Sequence, residues 1–349
     1  MNLALFKVNN LGDNIVFLPV VQALRKRFPD WRLMVFTSPA AAELYAGLVP
    51  PARLVALSRA DFNRGWRKPW QMARWFGKMA AFRSDASLVA PDQGSVAHLL
   101  ARLAGGGIRA GGAGLTIRLQ GTLTHAVPFA ANQTIAQWNW EVARALLSAL
   151  GERDWPAEPP APDLSSLVGP PPPSAGAPRI VIHAGSSREY QRWPLAAYSE
   201  LAARLARDFQ VVWVLRPDTA ATRLAPSVRV VEMHSLRDLV TWLAASDLYV
   251  GNNSGPMHLV SSLGLPAIIL TGPTHFCWDP FWHRESVRLL RAPGLACLPC
   301  DRHDFGADVC QNAANPMACM RYWSVEAVEA ACRGQLGRFG SRGRQAALP

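Results

Sequence analysis

Short apolar runs alternate with amphipathic segments through the first half of the chain. Residues 3–8 and 33–37 are largely apolar, as buried strands are. Between them, apolar side chains recur at spacings of four, three and four residues: Phe17, Val21, Leu24 and Phe28. This spacing predicts a helix, and Pro19 predicts that the helix begins near that position or bends there. The segment therefore indicates a strand, a helix and a strand of a parallel sheet.

The same alternation continues along the rest of the chain. The glycines at 105–107, 111, 112 and 114 predict loops around a short apolar segment. Further strands are predicted at residues 53–57, 87–90, 179–183, 211–215, 228–233, 248–251 and 267–270. Further helices are predicted at residues 137–150, after Pro194, and at residues 236–245 and 257–263. Two such series predict an α/β fold of two doubly wound, Rossmann-like domains that face each other across a cleft.

Composition places the domain boundaries. Residues 155–178 are rich in proline, alanine and serine, which predicts an extended, fairly stiff linker. We therefore expect an N-terminal domain of residues 1–154 and a C-terminal domain of residues 179–333. Residues 334–349 are rich in glycine and arginine and are predicted to form a disordered basic tail.

Charge narrows the class of partner. The 349 residues carry a formal net charge of +11, which favours nucleic acid, a phosphorylated lipid surface or a charged substrate. The sequence does not open with a basic region and a long apolar stretch, and no apolar run is long enough to cross a bilayer. We expect a soluble, cytoplasmic protein.

The first candidate site is a strand-to-helix corner near the start of the chain. Lys7 ends a predicted strand, and Gly12 and Asp13 open the following helix. A helix N-terminus offers unpaired amides and partial positive charge, so an anion can bind there. Asp13 is open to two interpretations, a functional carboxylate or a residue that only caps the helix.

The second candidate corner follows the strand at residues 179–183. Ser186 and Ser187 can present amides and hydroxyls to phosphate oxygens, while Arg188 or Arg192 would neutralise their charge. The glycine spacing of a dinucleotide fingerprint or a P-loop is missing here. An ordinary loop between a strand and a helix explains these residues as well.

The third candidate corner follows the strand at residues 248–251. Asn253, Ser254 and Gly255 lie where a pyrophosphate could meet a helix N-terminus, and His258 falls on the first turn. A histidine in such a place is often structural. Two such corners in one domain favour function, because ligands of open α/β sheets bind at the carboxyl ends of the strands.

Two further groups of residues suggest ligands. Cys297, Cys300, Cys310 and Cys319 have a C-x2-C-x9-C-x8-C spacing, which fits either a structural zinc or iron site or thiols that hold no metal. The segment 59–83 interleaves cations with tryptophans. Such a segment suits a phosphorylated, sugar-bearing lipid, but also a pair of amphipathic helices whose tryptophans are core. Its cations include Arg64, Arg67, Lys68, Arg74 and Lys78.

Taken in order, these motifs resemble one known family. Leu11-Gly12-Asp13, the serine loop that runs into Trp193-Pro194, the stretch from Asn253 to Leu259, Gly272-Pro273-Thr274 and the Cys297–Cys300 pair occur in this order in bacterial lipopolysaccharide heptosyltransferases, glycosyltransferase family 9. The resemblance spans about residues 3–333. Its most specific part is the Ser-Gly-Pro-Met-His-Leu stretch from Ser254.

The resemblance implies a GT-B fold and an inverting, metal-independent transfer that needs no cofactor. The N-terminal domain would take a phosphorylated lipid or oligosaccharide acceptor, and the C-terminal domain a nucleotide-diphosphate sugar, typically ADP-heptose. Asp13 would be the general base, kept ionised by Lys7. The enzyme would work in the cytoplasm, in peripheral contact with the anionic inner face of the inner membrane. The residues implied are Ser186, Ser187, Arg192, Asn253, Ser254, Gly255 and His258 for the donor, and Lys7, Arg64, Arg67 and Lys68 for the acceptor.

Two departures from the family pattern keep alternatives open. Gln191 stands where a lysine is common, and Asn253 stands where an aspartate is common. A catalytically weakened family member would explain both.

An NAD-dependent oxidoreductase is disfavoured because no G-x-G-x-x-G follows the first strand. A basic nucleic-acid-binding protein with a four-cysteine metal module would explain the charge, but it leaves the Ser254–His258 corner without a purpose.

Overall fold

The computed structural model describes residues 1–57, 69–91, 94–114, 119–173, 176–217, 219, 223–300, 309–310 and 312–339. The chain divides into two compact units, Met1–Asp163 and Leu164–Pro349. Within the described residues, no helix is both long and apolar enough to span a membrane.

The first unit is built on a six-stranded parallel sheet with the strand order β3-β2-β1-β4-β5-β6. Its strands are β1 (Asn2–Lys7), β2 (Arg32–Thr37), β3 (Leu54–Ala56), β4 (Ala86–Val89), β5 (Ile108–Ala113) and β6 (His125–Pro128). Its helices are α1 (Leu11–Arg27), α2 (Pro69–Phe82), α3 (Ser95–Leu103) and α4 (Ile135–Ala149). Short 3-10 segments lie at Pro39–Tyr45, Pro51–Arg53 and Gln120–Thr122.

The second unit is built on another six-stranded parallel sheet, with the order β12-β11-β10-β7-β8-β9. Its strands are β7 (Arg179–His183), β8 (Gln210–Leu215), β9 (Arg229–Glu232), β10 (Leu248–Asn252), β11 (Ala267–Thr271) and β12 (Val287–Arg291). Its helices are α5 (Leu195–Leu205), α6 (Leu236–Ala244), α7 (Gly255–Ser262), α8 (Ala318–Arg321) and α9 (Val325–Phe339). Short 3-10 segments lie at Ser165–Leu167, Glu189–Gln191, Phe276–Trp278 and Arg284–Ser286.

Both sheets follow the strand order of the Rossmann fold, so the α/β prediction is confirmed. In each sheet the order reverses beside the first strand, between β1 and β4 and between β7 and β10. The connections leave such a point in opposite directions, which opens a crevice at the carboxyl ends of the two strands. The fold therefore predicts one ligand crevice in each unit.

The central strands are covered on both faces, which explains why they read as continuous apolar runs. In β1, Leu3, Ala4, Leu5 and Phe6 have no exposed surface. The ring of Phe6 stacks on Phe36 of the neighbouring β2, with centroids 4.6 Å apart. Helix α1 runs through Pro19, so the helix begins well before this proline.

Strand β5 corrects the prediction of loops at Gly111 and Gly112. Both glycines pair with β6 in regular parallel register. A Cβ on Gly112 would lie 2.7 Å from the Pro91 Cβ and 2.8 Å from the Trp138 ring. The strand therefore uses glycine because the sheet packs too closely there for a side chain.

The proline-rich segment is anchored rather than extended throughout. Trp155 stacks on Trp140 of α4 at 4.3 Å, and the Trp140 indole donates to the Pro156 carbonyl. Leu164 and Leu167 are buried in the second unit. The boundary between the units thus falls inside the predicted linker, whose described residues pack on one unit or the other.

Helix α9 corrects the prediction of a disordered tail from residue 334. It continues to Phe339, and one side of its last turns is buried through Cys332, Gln335 and Leu336, whereas Gly334, Gly337 and Arg338 are exposed. Leu336 packs into the core of the second unit, and the Gln335 side chain donates to the Ser286 carbonyl at 2.6 Å. The glycine and arginine content of this segment predicted disorder. In the structure, the exposed glycines and arginines lie between buried residues at helical spacing, so the helix continues. Residues 340–349 lie outside the described part of the chain.

Candidate functional site

Asp13 lies on the first turn of α1, where it caps the helix. Its Oδ2 accepts a hydrogen bond from the Asn10 amide at 3.0 Å. Lys7 ends β1 without exposed surface, and its Nζ lies 3.5 Å from the Pro91 carbonyl oxygen. Lys7 ends β1 and Pro91 follows β4, so Lys7 and Pro91 both lie at the order-reversal point of the first sheet.

A buried asparagine braces this corner, which we call the Asp13 corner (residues 7–14). Asn14 has no exposed surface, and its Nδ2 donates to the Asn9 and Asn10 carbonyls at 3.1 and 2.8 Å. Its Oδ1 accepts from the Thr37 hydroxyl at 2.9 Å and the Tyr45 hydroxyl at 2.8 Å. These bonds fix the turn from which Asp13 projects.

The second and third predicted corners lie at the ends of neighbouring strands, because β7 pairs with β10. A second buried asparagine, Asn252, links them. Its Nδ2 donates to the Ala184 carbonyl at 2.9 Å, and its Oδ1 accepts from the Trp193 amide and the Tyr198 hydroxyl, both at 3.0 Å. The structure thus brings the Ser186 and Ser254 loops together at the order-reversal point of the second sheet.

Ser254 is the N-cap of α7, and Gly255 and Pro256 form its first turn. Pro256 has no N–H, and the Met257 amide donates to the Ser254 carbonyl at 3.0 Å, so the Gly255 amide is the group of this turn that an anion can meet. The close fit of β10 also requires a glycine at 251, since a Cβ there would collide with the Tyr249 hydroxyl. We call residues 251–258 the Ser254 corner.

His258 lies in the first turns of α7 and is 5% exposed. Burial lowers its pKa from 6.5 to about 4, so the imidazole is neutral at pH 7. Its Nδ1 has no hydrogen-bond partner among the described residues. His258 can therefore contribute a neutral polar contact to the corner but no positive charge.

The two serines of the second corner differ in exposure, and its arginine holds the loop. Ser186 is half-buried and Ser187 is exposed. The Ser186 hydroxyl donates to Gln191 Oε1 at 3.0 Å. The Arg192 guanidinium donates to the Ser186 carbonyl from Nε at 2.9 Å and from a terminal nitrogen at 2.5 Å. Arg192 itself is exposed, so its cation remains accessible beside the loop.

Gln191 and Asn253, the two departures from the family pattern, belong to one polar network. Gln191 Nε2 lies 3.5 Å from the Thr274 hydroxyl, and Asn253 Nδ2 lies 3.4 Å from Asp279 Oδ1. Arg291 joins the two branches, since it donates to both Asp279 oxygens at 2.8 and 3.0 Å and to the Thr274 carbonyl at 2.5 Å. Burial raises the pKa of Asp279 from 3.8 to about 6, although Arg291 and then Arg284 lower it.

The predicted acceptor residues are only partly described. Arg64, Arg67 and Lys68 lie outside the described residues. Lys7 has no exposed surface, and its acceptor contact stays a prediction. Helix α2 follows residues 58–68, which the structure does not describe. Trp70 of this helix is 70% exposed, and Arg74 is exposed as well.

The four cysteines are near enough to influence one another. Burial raises the pKa of the Cys319 thiol to about 11, with smaller contributions from Cys300, Cys310 and Cys297. Cys310 Sγ accepts from the Met317 amide at 3.2 Å. In the described part of the chain, no three His, Cys, Asp or Glu side chains are arranged to hold a metal ion. The stretch 301–308, between Cys300 and Cys310, is not described.

Two doubly wound parallel units with candidate ligand corners at their order-reversal points are the architecture of the GT-B fold class. The model of glycosyltransferase family 9 (heptosyltransferase) matches residues 84–303. The chain therefore belongs to glycosyltransferase family 9, and the family resemblance seen in the sequence is confirmed.

The individual relatives share only limited sequence identity with this chain. Lipooligosaccharide heptosyltransferase 2 of Campylobacter jejuni is 35% identical over 66 residues, which cover 19% of this chain and only a fifth (20%) of that relative. Escherichia coli heptosyltransferase WaaC, solved with ADP-2-deoxy-2-fluoro heptose, is 20% identical with a TM-score of 0.69, covering 96% of this chain and 99% of that one. The E. coli ADP-heptose lps heptosyltransferase II is 17% identical with a TM-score of 0.70, covering 98% and 100%. At these identities, the two structures show the shared fold.

Sequence reasoning missed the residues that connect the corners. Asn252 ends a strand among apolar residues, and its position before Asn253 hid its bracing role. Asp279 and Arg291 are separated by a 3-10 segment and a strand, so no local spacing links them. The polar residues between them, among them Arg284, Glu285 and Arg288, leave no local signal that singles out this pair.

Proposed function

We propose that the protein is an inverting, metal-independent glycosyltransferase that moves a sugar from a nucleotide-diphosphate donor to a lipopolysaccharide-core-type acceptor. The donor is ADP-heptose, the ligand named for related structures. The observation that carries the proposal is the Asn252 link, which unites the Ser186 and Ser254 loops at one crevice. Two loops of amides and hydroxyls converging on one point suit a diphosphate.

In this reaction the acceptor hydroxyl attacks the anomeric carbon while the bond from that carbon to the diphosphate oxygen breaks. Asp13 takes the hydroxyl proton as general base. A carboxylate offers about four acceptor positions, so the bond to the Asn10 amide is compatible with that role. The departing diphosphate gains negative charge, which the Gly255 amide at the start of α7, the Ser186 and Ser187 loop and Arg192 stabilise. Neutral His258 orients the diphosphate without adding charge.

On the acceptor side we propose a phosphorylated lipid or oligosaccharide held by the cations of segment 59–83. Arg64, Arg67 and Lys68 would pair with its phosphates. Trp70 and Arg74 of α2 would lie at the anionic surface of the membrane that carries the acceptor, since an exposed indole beside cations suits such an interface.

A thermal-shift panel of nucleotide diphosphates and nucleotide sugars tests the donor. A ligand present at 100 times its Kd stabilises the folded state by about 2.7 kcal/mol, so ADP and ADP-heptose should raise the melting temperature while other nucleotides raise it less. Arg192→Ala should reduce the ADP shift, and Arg207→Ala, an exposed arginine on the same unit, should not. The donor proposal is wrong if no nucleotide diphosphate or nucleotide sugar shifts the wild-type protein.

The alternative of a weakened family member rests on Gln191 and Asn253. The double variant Gln191→Lys with Asn253→Asp restores the common pattern. A weakened enzyme should gain transfer activity from this change, whereas an enzyme adapted to its own network should lose it. Steady-state rates with ADP-heptose and a core-type acceptor separate the two outcomes.

The structural zinc or iron at the four cysteines stays a prediction of its own. Elemental analysis of the purified chain tests it, with the Cys297→Ser, Cys300→Ser double variant as the matched control. Stoichiometric metal in the wild type that disappears in the double variant would support the site. Metal-free wild-type protein with full transfer activity would remove it.

A further inference from the structure

The loop after β11 and strand β12 form a small pocket that the proposed mechanism does not use, and Asp279 of its lining lies 3.4 Å from Asn253 of the Ser254 corner. It has a volume of about 180 Å³ and is lined by Phe276, Asp279, Pro280, Arg284, Val287 and Leu289. Val287, Leu289 and Arg291 alternate along β12 and share one face of this strand. We call this cavity the Asp279 pocket.

Its size excludes a nucleotide. Sites for drug-sized ligands occupy roughly 300–1,000 Å³. The Asp279 pocket therefore fits a fragment, such as part of one sugar residue.

Its lining suits hydroxyl groups. Asp279 can accept hydrogen bonds from hydroxyls and Arg284 can donate to them, while the 41% exposed ring of Phe276 and the aliphatic side chains suit the C–H face of a sugar. The charge of Asp279 is incompletely compensated, because burial outweighs two arginines and raises its pKa to about 6. Additional donors from a ligand would stabilise the ionised carboxylate.

The network connects this pocket to the donor corner. Asn253 precedes the N-cap of α7, and its Nδ2 is 3.4 Å from both Asp279 Oδ1 and the Thr271 hydroxyl. Hydrogen bonds of this length are weak, so the amide can turn to a ligand at little cost. Arg291 holds the carboxylate from the other side with two shorter bonds.

We propose that the Asp279 pocket binds hydroxyls of the donor's sugar, with Asp279 as acceptor, Asn253 as donor and Arg291 as a positioning residue. The carboxylate that accepts hydrogen bonds from the sugar is thus Asp279, in the loop after β11. The inference rests on the proposed function, because it places the sugar of a nucleotide sugar whose diphosphate occupies the Ser254 corner.

Calorimetric titration with ADP and with ADP-heptose tests the pocket, because only the second ligand carries the sugar. In Asp279→Asn we expect the Kd for ADP to stay within about twofold and the Kd for ADP-heptose to rise about tenfold or more, as for loss of a hydrogen bond to a charged group. Glu285→Gln, an exposed carboxylate nearby, is the matched control and should change neither Kd.

Leu289→Trp is a second variant, which fills the pocket and leaves Asp279 unsubstituted. It should raise the Kd for ADP-heptose and leave the Kd for ADP unchanged. Circular dichroism and melting temperature confirm that both variants fold. The pocket proposal is overturned if Asp279→Asn and Leu289→Trp bind ADP-heptose as the wild type does. If the wild type binds neither ligand, the proposed function itself fails and the pocket loses its ligand. If the wild type binds ADP and ADP-heptose equally tightly, the sugar makes no net contact and the pocket proposal fails alone.

Discussion

The Asp13 corner and the Ser254 corner use the same architecture for opposite chemistry. Each follows the carboxyl end of a central parallel strand, opens a helix and is braced by an asparagine without exposed surface, Asn14 in one and Asn252 in the other. The first presents a carboxylate, whereas the second presents amides, hydroxyls and a neutral imidazole. The first is thus suited to accept a proton and the second to receive an anion.

The comparison teaches that the brace, rather than the presented side chain, is the common structural requirement. A loop at an order-reversal point must turn tightly and still satisfy its backbone groups, and one buried side-chain amide can satisfy donors and acceptors of two segments at once. The residue that follows can then vary with the chemistry.

Asp13→Asn should separate the two corners most sharply. The substitution keeps the shape of the side chain and an acceptor for the Asn10 amide, but it removes the base. We expect the transfer rate to fall about 10²–10⁴-fold, the range attributed to general base catalysis, while ADP still raises the melting temperature. Steady-state rates and thermal shifts check this, with Asp30→Asn, an exposed aspartate of the same unit, as control. Normal turnover by Asp13→Asn would show that the assigned base is wrong.

The two braces should be similarly important for stability. Asn252→Ala leaves the Trp193 amide and the Tyr198 hydroxyl buried without the Asn252 Oδ1 acceptor. Asn14→Ala removes the Oδ1 acceptor of the Thr37 and Tyr45 hydroxyls, although Tyr45 keeps the Asn14 backbone carbonyl at 3.5 Å. Since each unsatisfied buried group costs about 1–3 kcal/mol, we expect each variant to lose about 3 kcal/mol of unfolding free energy. Urea unfolding measures this, with the exposed Asn132→Ala as control. A loss below about 0.5 kcal/mol, typical of surface substitutions, would contradict the bracing role.

The histidine of the Ser254 corner should make the second unit sensitive to acid. The pKa of His258 is about 4 in the folded protein and about 6.5 in the unfolded chain, so the native state binds fewer protons. The contribution of neutral His258 to the free energy of unfolding is fully present above pH 6.5 and is lost as the pH falls towards 4. We expect a loss of about 2 kcal/mol at pH 5 relative to pH 7.5 from this group.

His258→Gln removes the titrating group, so its unfolding free energy should fall less steeply between these pH values than that of the wild type. Two other histidines with pKa values near 4, the buried His98 and the half-buried His183, titrate in both proteins and cancel in the difference. Parallel pH profiles for the two proteins would refute the assignment.

The smallest expected effect concerns a surface feature that distinguishes the first unit. Trp70 is 70% exposed on α2, so Trp70→Ala should change the unfolding free energy by no more than about 0.5 kcal/mol. The same variant should bind less to vesicles that contain anionic lipid, if this helix contacts the membrane surface. Sedimentation with anionic and with neutral vesicles measures the difference. Unchanged binding to anionic vesicles would remove Trp70 from that surface.

The sequence predicted the sheets well because buried parallel strands leave a strong local signal. The strand predicted at residues 179–183 is β7, with the same first and last residues. The predicted corners follow the ends of strands in the expected order. Gly112 shows where this reasoning fails. Local rules assign glycine to loops, but this glycine is required by the ring of Trp138, which is distant in sequence.

The candidate site was predicted in its parts and not in its connections. The corners that hold Ser186, Ser254 and His258 could be proposed from local motifs, since a helix start has a recognisable composition, and the roles of these residues stay predictions. The Asn253–Asp279–Arg291 network could not, because it depends on which strands are neighbours. Gln191 and Asn253 looked like losses in the sequence, whereas in the structure each contacts a residue that Arg291 binds.

The buried end of helix α9 sets a practical limit on shortening the protein. A chain cut before residue 334 would expose Cys332 and Val328, lose Leu336 from the core and leave the Ser286 carbonyl without its donor. Such a truncation would aggregate or be degraded rather than yield a trimmed, active form. Any expressed fragment of the second unit must therefore retain the chain at least to Phe339.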